Sequence, residues 1–516
     1  MKKLQTILFG TLLTFVFMPG KAQDAIELKQ DQSNKIIVKL MFLNGSSSDP
    51  AGLAGLCNIT ANLIAQGGTE NRSKSDIDNF IYPMAANYSV SVDKEVSTFT
   101  FMWPSDFSET FYPILRDLIL HPAFDESDFE RVKISASNSI TRSVRNSSDE
   151  DYSKMLLEDF LFAGTTYQHM VQGTEAGVDA ITLEDVKDYY NNFFTRNNMM
   201  IGIAGNYSTD FLKTLKNDMA GLPDTHPDLP EINNPPMPEG VNVRIVSKAD
   251  AFGSAIYMGF PIDITRSNDD FAALMIANSY LGEHRKSYGV LYHKLRETRS
   301  MNYGDYSYIE WYPSGSQNML PLSGYPRHAN YFSMWIRPVQ IASGLRAQYP
   351  ELSDLTLGHA HYAIRMAMYQ LNKLIADGIS EEDFELTRDF MRSYMKLYIK
   401  TPDQRLGYLM DSHFYGRSDF ISEMDQAMAA LTVDDVNKAI KKYLQFGNMD
   451  IAIITTPEEA EGLKVALLNN ASSPMSYSNV VREGLPDTIF EEDKLVQDFP
   501  LPVRSVEIIP TEQSFH

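Results

Sequence analysis

The chain has 516 residues, 43% of them hydrophobic and 11% aromatic, with a formal net charge of −22. That length allows about three domains of ~150 residues, or two larger ones with ample cores. Such acidity, with no long basic run, excludes a nucleic-acid footprint and argues against binding to an anionic membrane surface.

The opening residues read as a secretory signal. Lys2 and Lys3 precede a mainly apolar run from Leu4 to Met18, which is too short for an ordinary membrane span. Gly20-Lys21-Ala22 places small residues for cleavage after Ala22, so residues 1–22 are expected to leave and no stable membrane insertion is expected afterwards. The single cysteine, Cys57, permits no internal disulfide and lies away from the cleavage site, which excludes lipidation there. A secreted chain without disulfides fits a bacterial periplasm. Cys57 lies in the apolar, helix-like stretch GLAGLCNITANLI and reads as a buried thiol.

In chain order, KIIVKLMFL (35–43) reads as a buried strand that ends at Asn44-Gly45. Helices are expected over about 51–65 and over 73–84, the second capped by Ser73 or Ser75. NYSVSVDKEVSTFTFMW (87–103) alternates like a hairpin. An amphipathic helix over 107–120 stops at His121-Pro122, and another starts near Glu126. The acids of SSDEDYSKM (147–155) read as a solvated helix start. Residues 223–240, PDTHPDLPEINNPPMPEG, are too proline-dense for regular structure and read as a linker.

The pattern then begins again. ITLEDVKDYYNNFFTRNNMMIGIAG (181–205) matches LTVDDVNKAIKKYLQFGNMDIAIIT (431–455), pairing Thr182 with Thr432, Asp185-Val186 with Asp435-Val436, and Ile201 with Ile451. Asp128-Phe129-Glu130 likewise matches Asp383-Phe384-Glu385 in the same order. These matches imply an internal duplication. The fold class is α+β, with two homologous sheet-plus-helices domains over 23–222 and 241–471. The second carries an insertion at 312–330 rich in Pro, Ser and Gly, and a tail (472–516) follows it.

The stretch LGEHRKSYGVLYHKLRETRSMNYGDYSY (281–308) reads as a helix, a turn and a strand. Arg296 closes the helical part and Tyr303 opens the strand. Two such donors aimed at one point can hold a peptide carbonyl or a developing oxyanion. The same residues also read as an arginine paired with Glu297 or Asp305 and a packed tyrosine.

Duplicated α+β domains, a central linker and this stretch together resemble the insulinase/pitrilysin family of zinc peptidases. The likeness is greatest to its short two-domain subunits, as in mitochondrial processing peptidase and bacterial heterodimeric relatives. It runs over roughly residues 35–465 and rests on Gly52-Leu53-Ala54 through Gly68-Thr69, on LILHPAFDESDFERVK, and on Leu295-Arg296-Glu297, Arg299 and Tyr303. Carried over by that resemblance, Arg296 and Tyr303 are the substrate-binding pair. Ser300 stands where the family usually has glycine.

The family's catalytic signature is absent. Active members carry His-x-x-Glu-His in the first helix, so that two histidines one turn apart share zinc and the glutamate activates its water. The corresponding stretch here, GLAGLCNITANLIAQGGT, has neither a histidine nor an acid and is about one turn longer. None of the ten histidines rebuilds the motif, and His359 and His361 are spaced to point to different helix faces. No metal ligand and no catalytic residue are therefore expected in this chain alone. The resemblance implies a subunit that lends Arg296 and Tyr303 to a homologous HxxEH-bearing partner. That partner would hold the zinc, and peptides would be the substrate. Its alternative is a structural or peptide-binding relative with no part in catalysis, as in the core subunits of respiratory complexes.

Overall fold

A computed structural model describes residues 25–283, 286, 288–312, 320 and 322–515; the expected signal segment 1–22 lies outside them. Two sheets organise the chain. The first has strand order β1 (Ile26–Lys29), β5 (Met199–Gly205), β2 (Lys35–Phe42), β4 (Ser97–Pro104), β3 (Asn87–Val92). The second has the order β11 (Val503–Pro510), β6 (Val241–Ser247), β10 (Met449–Thr455), β7 (Ala255–Ile262), β9 (Asn330–Pro338), β8 (Asn302–Tyr308).

Apart from β11, the two orders are the same sequence of steps. β1 runs parallel to β5, as β6 does to β10, and the remaining neighbours are antiparallel. Ile201 and Ile451 occupy the same place in the equivalent strands β5 and β10. The duplication read from the sequence is thus a duplication of fold. Local chemistry repeats too: Thr182 with Asp185, and Thr432 with Asp435, form capping boxes at equivalent helices, each worth about 1 kcal/mol.

Both sheets are covered on both faces, which is why their strands are near-continuous apolar runs. In β2, Ile36, Val38, Leu40 and Phe42 pack on helices of their own domain, while Ile37 and Met41 face the opposite way. Each domain sends one helix across the other's sheet. Asp149–Leu161, from the first domain, packs on β7 and β10; Pro402–Phe414, from the second, packs on β5, β1 and β2. At Gly202 in β5 an added Cβ would lie 2.4 Å from Met410 Sδ of that crossing helix, so a larger residue there would have to displace the Met410 side chain.

The linker, residues 223–240, carries no regular element. Residues 472–515 hold the helices Asn479–Gly484 and Asp487–Val496, then β11, which pairs in parallel along the whole of β6, and five further residues. Among the described residues no helix is long and apolar enough to cross a membrane.

Candidate functional site

The helix that corresponds to the zinc-bearing one spans Leu56–Gln66 and starts later than its sequence suggests. Asp49 explains the shift. Its carboxylate accepts the N–H groups of Gly55 and Cys57, each at 2.7 Å, and so fixes the helix start. Leu56, Cys57, Ile59, Thr60, Ala61, Leu63, Ile64 and Ala65 are buried. The remaining stripe carries Asn58, Asn62 and Gln66, one turn apart. They form an amide ladder: Asn62 Nδ2 donates to Asn58 Oδ1 at 2.9 Å, and Gln66 Nε2 to Asn62 Oδ1 at 2.8 Å. A zinc pair needs two imidazoles at just such a spacing, and neutral amides do not take their place. The donor set does not fit zinc.

Nearby polar groups do not supply a substitute. Cys57 Sγ lies 3.3 Å from Ser97 Oγ, and burial, reinforced by the charge of Asp49, pushes its thiol up to about 12. Burial also raises the Asp49 carboxyl to about 7, against the pull of the Cys57 and Gly55 N–H groups and Lys94. His169 Nε2 lies 3.7 Å from Asp49 Oδ2, yet burial and then Lys94 lower its pKa to about 4, so it is neutral at pH 7. Among the described residues no three His, Cys, Asp or Glu side chains form a metal-sized group.

The acids of 147–155 do start a helix, Asp149–Leu161, capped by Ser148, but its first acid is not solvated. Asp149 is buried and pairs with Lys248 Nζ of the second domain at 2.7 Å, while its other oxygen accepts the Phe252 N–H at 3.0 Å. Their helix lies on the second sheet rather than beside Leu56–Gln66. The sequence hides this because Lys248 is far along the chain.

In the second domain, Arg296 lies in a π-helical segment, Tyr292–Glu297, and is half-buried. π-helices are rare and concentrate at functional sites. The Arg296 carbonyl accepts the Ser300 N–H at 2.9 Å, and the Leu295 carbonyl that of Met301 at 3.2 Å. Ser300 takes the left-handed conformation, φ 53, that glycine adopts freely. A glycine would take this conformation without strain. Tyr303 follows as the second residue of β8; its side chain is outside the described set. Arg299 is buried and points elsewhere. Its Nε donates to Asp493 and its Nη2 to Glu492, at 2.8 and 2.9 Å, both on the tail helix Asp487–Val496.

The profile of the insulinase family (peptidase family M16) matches residues 25–175, and that of the peptidase M16 inactive domain matches residues 180–334. The chain belongs to the M16 family. It is 20% identical to the non-peptidase homolog YmxG of Helicobacter pylori, over 82% of this chain and 89% of that protein. It is 17% identical to the uncharacterized zinc protease YmxG of Bacillus subtilis, over 76% and 86%. Among solved structures it resembles an M16 inactive-domain protein of Pseudomonas fluorescens (TM-score 0.69, 17% identity, 83% of this chain and 94% of that one). A chain of complex III from Candida albicans is also similar (TM-score 0.64, 13% identity, 83% and 92%).

This M16 member also has a charged seam between its domains that its sequence did not disclose. The β3–β4 turn, Asp93-Lys94-Glu95, is buried there rather than solvated. Arg327 of the second domain clasps Asp93 at 2.7 and 2.6 Å and Glu158 at 2.5 Å, with its guanidinium 4.1 Å from the Trp311 ring centre. Lys94 Nζ donates to the Tyr167 carbonyl at 2.7 Å and lies 3.5 Å from Glu158. His328 Nδ1 meets Glu95 at 2.6 Å; burial pulls its pKa down, but the hydrogen bond and the charge of Glu95 together outweigh burial and leave it raised. A second buried cluster joins Arg266 to Glu310 and Asp411 at 2.7 and 2.8 Å. Its members come from widely separated segments of the second domain, so no local motif announces it.

Proposed function

We propose that this chain is the non-metal subunit of a heterodimeric M16 peptidase of the bacterial periplasm or extracellular space. Its partner is a homologous subunit bearing HxxEH, which holds the zinc and the general base. This chain contributes Arg296 and Tyr303. Both donate hydrogen bonds to carbonyl oxygens of an extended peptide, and their contribution grows as negative charge builds on oxygen.

The observation that carries this reading is a contrast between two segments. The helix that would carry zinc in an active member has neither a histidine nor an acid, and its outer stripe is an amide ladder. The Arg296 turn keeps its left-handed geometry at a serine, where that geometry costs energy. Strain that persists in this way marks a turn whose shape matters.

The test is purification of the chain from its native host, followed by metal analysis and a peptide-cleavage assay. The chain alone is expected to hold no stoichiometric zinc and to cleave nothing. An HxxEH-bearing M16 protein is expected to accompany it, and the pair to cleave unstructured peptides. One tightly held zinc per isolated chain would overturn the proposal. A second reading, a purely structural or peptide-binding role, draws support from the name of the Helicobacter pylori relative, a non-peptidase homolog. It takes over if no such partner accompanies the chain.

A further inference from the structure

Residues 472–515 do more than extend the second domain. Arg365, fully buried, ties the start of this segment to the stretch just before β11 with five acceptors: the carbonyls of Ala471, Gln497 and Phe499, Ser473 Oγ and Asn470 Oδ1, at 2.7–2.8 Å. β11 then completes the edge of the second sheet. After Pro510 the chain makes a short 3-10 turn, Thr511–Gln513, and leaves the domain that has held it.

It enters the first domain. Ser514 and Phe515 lie between the π-helical segment Ser139–Ser147 and the crossing helix Asp149–Leu161, and both are buried. Arg145, buried on the π-helical segment, donates to the Ser514 carbonyl and pairs with Glu175. Ser514 Oγ lies 2.7 Å from Tyr152 Oη. The Phe515 ring packs against Tyr152 at 5.6 Å, with the Arg145 guanidinium 6.0 Å from its centre. Arg145 Nε is buried with no hydrogen-bond partner among the described residues. Phe515 has a positive φ of 62, a conformation an aromatic residue holds only when its surroundings impose it.

We infer that this cleft is a binding site for a Ser-Phe segment that enters from a tight turn with its Phe held in the left-handed conformation, and that residues 511–515 of the same chain are its resident ligand. Recognition uses a guanidinium for a backbone carbonyl, a tyrosine hydroxyl for the serine, and a tilted tyrosine ring for the aromatic ring. Its consequence is a latch. A segment anchored on the second sheet is locked into the first domain, so the two halves are coupled through it. The site is independent of Arg296 and Tyr303.

Two arms test this. In the first, the chain is shortened to end at Pro502, and a synthetic peptide of residues 503–516 is added. The shortened chain should melt about 5 °C or more below the full one. The peptide should restore most of that loss, and the same peptide with Phe515→Ala should restore much less. In the second arm, Phe515→Ala is made in the full chain, which keeps β11 and so keeps the fold. Amide exchange over residues 139–161 should accelerate at least about tenfold, while β7 and β10 stay protected. The inference is overturned if the two peptides act alike, or if the full-length variant exchanges over 139–161 at the wild-type rate. Should the shortened chain fail to fold, the second arm decides alone.

Discussion

Ser300 is where a single side chain reports most on this protein. A left-handed serine costs roughly 1 kcal/mol relative to glycine, part of which the greater freedom of glycine in the unfolded chain takes back. Ser300→Gly is expected to stabilise the protein by about 0.5–1 kcal/mol, read as a small rise in Tm, because Ser300 is exposed and loses little else. A fall in Tm would show that its hydroxyl has a role the turn geometry does not reveal. Asp450 offers a second test. It is buried in β10, and burial raises its carboxyl from 3.8 to about 6 against the pull of the Asn242 amide at 3.1 Å. A carboxyl raised in this way favours the fold fully below pH 3.8 and loses that contribution as pH rises through about 6. Asp450→Asn should therefore stabilise the protein at about pH 7.5 by on the order of 2 kcal/mol and do little at about pH 3.5. Denaturant midpoints at the two pH values check it, and an equal effect at both contradicts it.

Elements with a strong local signal are legible in the amino-acid sequence itself. The hairpin of β3 and β4 follows from strict alternation, and the capped helices at Thr182 and Thr432 from a threonine three residues before an aspartate. The helix Leu56–Gln66 is legible in kind but not in its start, because Asp49 caps it from outside the apolar run. β11 is not legible at all. Its partner, β6, lies far back in the chain, and nothing local in VRSVEIIP distinguishes an added strand from a loose tail. The tail helix Asp487–Val496 depends in the same way on a distant residue, Arg299. Arg299→Met leaves Glu492 and Asp493 without their guanidinium, although Lys294, Tyr362 and Tyr477 still reach them. The expected loss is about 3 kcal/mol, with faster amide exchange over 487–496. Wild-type stability would mean that the lysine and the tyrosines suffice.

At the scale of the whole molecule, duplication gave the architecture, and exchange of helices made one body of it. Each domain's sheet is closed by the other's helix, and the seam between them holds Arg327, Asp93, Glu158 and Lys94 out of water. The halves of the chain can be matched from Ile201 and Ile451 alone, whereas the seam cannot be foreseen, since its charges come from separate segments of both domains. What this body has given up is as informative as what it keeps. It belongs to the M16 peptidase family and carries amides on the helix where the resemblance to active members would place zinc ligands. In the proposed function it still takes part in peptide cleavage through Arg296 and Tyr303, next to a partner's zinc. Tyr303→Phe removes only a hydroxyl and leaves the ring. The most direct measurement is kcat/KM for peptide cleavage by the pair reconstituted with wild-type or Tyr303→Phe chain, with assembly confirmed separately. A fall of about a hundredfold with assembly intact is the predicted result; cleavage at the wild-type rate would contradict it.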